Sequence, residues 1–179
     1  MATELSLTRL AGSEFSERVL VVGPAVGMSV ASQWRDCAMV LAGGFEVIGW
    51  DLPGHGSGCA ADGAFTVQDI ADELCARVGA LAGGRRVAHA GGSFGGAVGR
   101  ELAARGECSF EAVVCLGEQG PGVVDVDEKS YALACAALAR YRAGVAVKPV
   151  RELHDVVSPA LAAVLVRVLE EMRCPTTTA

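Results

Sequence analysis

No basic run occurs anywhere in this 179-residue chain, whose 15 lysines and arginines are outnumbered by 21 acidic residues for a formal charge of −6. A surface that grips phosphates must be built from clustered Lys and Arg, so nucleic-acid and anionic-membrane binding are not expected. Although 51% of the residues are hydrophobic, charges or turn residues interrupt every apolar run before it reaches bilayer length. The first ten residues, MATELSLTRL, carry Glu4 early and lack a basic segment followed by an apolar one, so no secretory leader is expected. The seven cysteines, at 37, 59, 75, 108, 115, 135 and 174, form no C-x-x-C pair. An odd, scattered set reads as reduced, mostly buried thiols in a cytoplasmic protein rather than a disulfide framework or a metal site. With no internal repeat and no low-complexity linker, residues 1–179 are expected to form one domain.

The chain contains alternating strand and helix patterns. LSLTRL at 5–10 alternates apolar and polar residues and reads as an edge strand. RVLVV at 18–22 is a β-branched run stopped by Gly23 and Pro24, as suits a strand buried on both faces. A helix follows from Val30 to Leu41, with Trp34, Cys37, Ala38 and Leu41 on its apolar side and Gly43 and Gly44 at its end. FEVIGW at 45–50 is the next strand. Thr66 and Asp69 have capping-box spacing before a helix that runs to Leu81. Val87 to Ala90, then Phe110 to Leu116, are further strands, separated by a helix from about Gly95 to Arg105. The order predicts an α/β fold with a mostly parallel, doubly wound sheet and helices on both faces. A helix over 127–142, a weak strand within 144–153 and a last helix over 160–172 complete the pattern.

The stretch RRVAHAGGSFGGAVGR, 85–100, holds the chemistry. An apolar strand breaks at Gly91-Gly92-Ser93-Phe94-Gly95 and leads into helix. In a G-x-S-x-G turn the serine sits on a strained apex, and side chains two positions either side would collide with neighbouring backbone. Glycine at 91 and 95 removes them. Other residue types have structural roles: Asp51 caps a turn, Trp34 packs, Cys115 and Cys135 lie in the core, and Asp125, Asp127 and Glu128 form a solvated helix start.

Together with the loop GPAVG at 23–27, these features resemble the α/β-hydrolase superfamily, and within it the 3-oxoadipate enol-lactonases. The resemblance is carried by VLVVGPAVGMSVASQW at 19–34, VIGWDLPGHGSG at 47–58, FTVQDIADEL at 65–74, HAGGSFGGAVGRELA at 89–103, YALACAALA at 131–139 and LHDVVSP at 153–159. It implies Ser93 as nucleophile, main-chain amides of Phe94 and Val26 (or its neighbour Ala25) as the oxyanion hole, and Asp155 as the triad acid. It further implies a small lactone or carboxylic ester as substrate, with neither cofactor nor metal.

The family's base is a histidine beyond the acid, and no histidine follows Asp155. Of the three present, His55 lies in the PGHG loop and His89 in a buried strand, where a satisfied core imidazole is expected. His154 adjoins Asp155 and points away from it if the segment is extended. Residues 117–142 resemble the remnant of a lid, so the chain looks like a lactonase shortened in its lid and at its C-terminal end. Three readings follow: an ester or lactone hydrolase with an incomplete triad, a hydrolase-like binding protein or degenerate remnant without activity, and a hydrolase whose missing strand and base come from a partner chain. A sheet edge left uncovered by a missing last strand would invite self-association.

Overall fold

The apolar runs assemble into one six-stranded sheet in the order β1-β3-β2-β4-β5-β6. A computed structural model of the chain describes residues 4–105, 108, 110–117, 126–144, 146, 148–154 and 157–172. The strands are β1 (Ser6–Ala11), β2 (Arg18–Gly23), β3 (Glu46–Asp51), β4 (Arg86–Gly92), β5 (Phe110–Leu116) and β6 (Val150–Leu153). The helices are α1 (Val30–Leu41), α2 (Val67–Ala82), α3 (Phe94–Ala104), α4 (Glu128–Arg140) and α5 (Leu161–Glu171). β1 pairs antiparallel with β3 at one edge, and the other neighbouring strands run parallel. The expected doubly wound arrangement is therefore present.

Side-chain alternation along β2 and β4 divides the core in two. Val19, Val21 and Val87 pack with α2, α3 and Trp50, and Ala134 and Ala137 of α4 join that layer. Leu20, Val22, Ala88 and Ala90 pack with α1 and α5 on the opposite face. Strands covered on both faces read as unbroken apolar runs, which is why they were visible in the sequence.

Helix ends follow the local chemistry. Thr66 Oγ1 accepts from the Asp69 amide at 3.1 Å, and the Asp69 carboxylate accepts from the Thr66 amide at 2.8 Å, closing the capping box at the start of α2. Thr66→Ala is expected to cost about 1 kcal/mol, measured as a lower denaturant midpoint at unchanged m-value. The carboxylate of Glu46 is buried, yet Arg9 and Arg85 each reach it at 2.6 Å. Burial alone would raise its pKa; hydrogen bonds from Arg85 and Arg9 outweigh that and hold it below the usual carboxylate range.

Three expectations are corrected. Cys75 of α2 is bonded to Cys108, with Cα atoms 5.5 Å apart, so the thiols are not all reduced. Cys135 is exposed on α4 rather than in the core, whereas Cys115 is buried. His89 is buried but not satisfied, since neither ring nitrogen has a partner among the described residues.

Candidate active site

β2 leads through α1 to β3 on one side, while β4 lies on its other side, so the winding reverses between β2 and β4. In parallel sheets a crevice opens at the carboxyl ends of the strands at such a reversal. The carboxyl end of β2 continues into residues 24–27, and that of β4 into Ser93.

Ser93 has φ 52° and ψ −120°, and no other non-glycine among the described residues has positive φ. Such a backbone costs of order 1–3 kcal/mol and persists only where its surroundings enforce it. Those surroundings are three glycines in backbone contact. A Cβ added to Gly91 would lie 2.7 Å from the carbonyl carbon of Gly95, and one on Gly95 would lie 2.7 Å from that of Gly23. One on Gly23 would meet Gly95 Cα at 2.9 Å and the Trp50 ring at 2.6 Å. The two expected elbow glycines are thus required by packing, and Gly23 is a third that the G-x-S-x-G pattern does not contain. The Gly95 amide donates to Pro24 O at 2.9 Å, fastening the start of α3 to the loop after β2.

In the loop after β2, the Ala25 amide is committed to Gln33 Oε1 at 2.8 Å, so it is already occupied. Phe94 begins α3; its side chain is fully buried against Phe65, while its amide belongs to the first turn of a helix. No side chain caps that turn and no acidic residue lies in it. Its N–H groups and the helix dipole therefore favour negative charge beside Ser93.

Ser93 itself is half-buried and opens onto a cleft of about 490 Å³. Ala97 and Arg100 of α3, Leu138 and Tyr141 from the α4 region, and Glu152 and His154 from the β6 region line it. Arg100 and Glu152 form a two-pronged pair across the cleft, Nε to Oε1 at 3.2 Å and Nη2 to Oε2 at 3.0 Å. Burial, then the nearby Glu101 carboxylate, push the Tyr141 phenol up to about 12, so it is neutral at ordinary pH. A serine oxygen beside an uncapped helix start, on a cavity of ligand size, can bind a small polar ligand.

The remaining predicted residues fall as follows. Asp51 joins two elements: Oδ1 accepts from the Val30 amide at 2.7 Å, and Oδ2 from the Ser57 amide at 3.0 Å and hydroxyl at 2.8 Å. Trp34 is fully buried and donates from Nε1 to Gly23 O at 3.0 Å, so it braces the strand end rather than walling the cleft. His55 is buried with Nδ1 at 2.9 Å from Pro53 O, and burial lowers its pKa against the opposing effect of that carbonyl. His89 lies inside the sheet layer between Trp50 and Phe110. Asp127 caps α4 by accepting from the Ser130 amide, while Asp125 lies outside the described residues. Asp155, the expected acid, also lies outside them. Gln33 carries no sequence signal beyond its place one helical turn into α1, and of the chain's three imidazoles it is that of His154 that lines the cleft.

No protein-family profile and no curated protein matches the sequence. Solved structures do. An enol-lactonase from Burkholderia xenovorans LB400 matches with a TM-score of 0.72 and 17% identity, over 94% of this chain and 96% of that one. A lipase-esterase related protein from Clostridium acetobutylicum ATCC 824 matches with a TM-score of 0.63 and 12% identity, over 94% and 98%. A membrane phospholipase A, described as a bacterial virulence factor, matches with a TM-score of 0.55 and 26% identity over 65% of this chain. That match spans 36% of the phospholipase's own length. The strand order, the glycine-packed serine turn and these likenesses agree: the chain has the α/β-hydrolase fold.

Proposed function

We propose that this chain is a serine hydrolase of small lactones or carboxylic esters, with chemistry like that of a 3-oxoadipate enol-lactonase. The observation that carries the reading is the enforced backbone of Ser93, at φ 52° and ψ −120°, at the mouth of a 490 Å³ cleft. Strain of that kind has no packing benefit of its own, whereas it presents a nucleophile. Ser93 Oγ attacks the carbonyl carbon, and the amides of Val26 and Phe94 receive the developing oxyanion. Gly91 and Gly95 hold the turn. Asp155 remains the acid of the proposal on the likeness of LHDVVSP alone. The scheme uses no cofactor and no metal.

Residues 117–142 are taken as a reduced lid within a single domain, with Leu138 of α4 and Tyr141 just beyond it lining the cleft. No helix among the described residues is long and apolar enough to cross a membrane. A cytoplasmic location is kept as part of the reading because it suits the exposed thiols of Cys59 and Cys135. The Cys75–Cys108 bond is its counterweight, since such bonds belong to oxidising compartments. β6 is an edge strand, and a second copy pairing along it is the self-association the proposal includes.

Hydrolysis of p-nitrophenyl acetate and of a simple γ-lactone tests the reading. Wild-type protein is expected to turn both over, and Ser93→Ala to fall to the buffer rate; equal rates for the two proteins would refute it. A hydrolase-like binding protein is the second reading, favoured by the burial of His55 and His89, which removes two of the chain's three imidazoles from the cleft. It predicts binding of such esters without turnover.

A further inference from the structure

We propose that His154 is the general base that activates Ser93, an assignment that rests on Ser93 being the nucleophile. Of the chain's three histidines, His154 alone lines the Ser93 cleft. His55 is fully buried in its own loop, and His89 is enclosed on the α3 face of β4, where Gly99 approaches it so closely that an added Cβ would lie 2.9 Å from Nδ1.

The pattern of β6 explains the placement. Val150 packs with Ala103 of α3, Val113 and Cys115, and Glu152 pairs with Arg100 of α3. Between them, Arg151 reaches Glu171 of α5 at 4.0 Å, and Leu153 packs in the layer of α1 and α5. Even positions of β6 therefore face α3 and odd positions face α5. The alternation assigns His154 to the α3 side, where Ser93 opens the helix.

Register sets the reach. Gly92 is aligned with Leu116, and Leu116 with Leu153, so Ser93 and His154 each lie one residue past a common row. Two strand spacings separate them, roughly 10 Å between backbones, which a serine and a histidine side chain extended toward each other can span. Gly117 lies between them in that row. A Cβ there would come within 3.2 Å of His154 Cα, so glycine at this position lets the β6 end close on the β5 end. The charged and titratable groups facing His154 are Arg100 of α3, Tyr141 beyond α4 and Glu152 of β6 itself. Arg100 and Glu152 neutralise each other, so among the described lining residues the imidazole is the group suited to accept a proton.

The step balances without a co-reactant. As Oγ of Ser93 forms a bond to the carbonyl carbon, its proton moves to an imidazole nitrogen of His154, and the carbonyl π pair moves onto oxygen. Collapse breaks the carbon–oxygen bond to the leaving alcohol, which takes the proton from His154. Water then repeats the sequence on the acyl-serine: His154 accepts a proton from water, hydroxide adds to the carbonyl carbon, and Oγ leaves carrying that proton.

The rate of Ser93 acylation by a fluorophosphonate probe, followed from about pH 5 to about pH 9, tests the assignment. His154→Ala and His154→Gln are expected to slow acylation by about 10²- to 10⁴-fold and to remove one ionisation from the pH profile. Added imidazole is expected to restore part of the rate in His154→Ala and none in Ser93→Ala. A merely structural role would show neither effect. If Ser93→Ala abolishes labelling while both His154 variants keep the wild-type rate and profile, His154 is not the base and the hydrolase reading stands. If Ser93→Ala labels as wild type does, the hydrolase reading falls and the base with it.

Discussion

Gly95→Ala is expected to cost about 3 kcal/mol and to leave Ser93 largely unreactive although the serine itself is untouched. The added methyl would lie 2.7 Å from both the carbonyl carbon and the carbonyl oxygen of Gly23, and 3.0 Å from its Cα. All of these are backbone atoms at the end of a central strand, so no flexible side chain can give way. Overpacking of this kind costs 1–3 kcal/mol, and parting α3 from the loop also strains the hydrogen bond from Gly95 to Pro24, worth about 1 kcal/mol more. The same separation displaces the loop after β2 from the start of α3. A displacement of about 1 Å in a catalytic arrangement can reduce rate by about 10²-fold. Denaturant unfolding and acylation rate measured on one preparation would show both effects. Gly43→Ala is the control: nothing lies within 4 Å of its added methyl, so stability is expected to stay within about 0.5 kcal/mol. If Gly95→Ala behaves like Gly43→Ala, the glycine contact does not hold the serine turn.

The second large effect is acid sensitivity from His89. Its ring is completely buried, neither nitrogen has a partner among the described residues, and burial pushes its pKa down to about 3. The unfolded chain takes up a proton at about pH 6.5, while the folded chain does so only near 3. As pH falls through that interval the unfolded state binds more protons, so stability present in full above about 6.5 drains away. The loss approaches about 1.4 kcal/mol per pH unit, roughly 5 kcal/mol over the whole interval. His89→Leu removes the group and keeps an apolar side chain between Trp50 and Phe110. It is expected to be more stable than wild type by about 1–3 kcal/mol at neutral pH, since a buried, unsatisfied polar group is lost. Below pH 6 its denaturant midpoint should fall less steeply than that of wild type. Parallel slopes for the two proteins would mean that His89 is not buried neutral.

What could be read from the sequence was what depends on neighbours along the chain. The serine turn was legible because its glycines must stand two residues either side of Ser93, and the α2 cap because Thr66 and Asp69 meet within one turn. The central strands were legible because burial on both faces makes them mostly apolar, as in RVLVV of β2 and FEAVVCL of β5. Features that depend on how distant elements meet were not. Cys75 and Cys108 are 33 residues apart with no spacing motif between them, and they approach only because α2 and α3 pack side by side. That the Ala25 amide is already occupied depends on Gln33, whose side chain reaches back eight residues to the loop. The placement of His154 needed the register of a four-residue strand against β5. Extended geometry alone showed that it faces away from its successor, without showing which side Ser93 occupies.

Intact-protein mass spectrometry after fluorophosphonate treatment, followed by peptide mapping, shows whether Ser93 is presented as a nucleophile. One adduct per chain is expected, located on the peptide containing Ser93 and absent from Ser93→Ala. An unmodified wild-type protein, or an adduct of equal yield in Ser93→Ala, would contradict it.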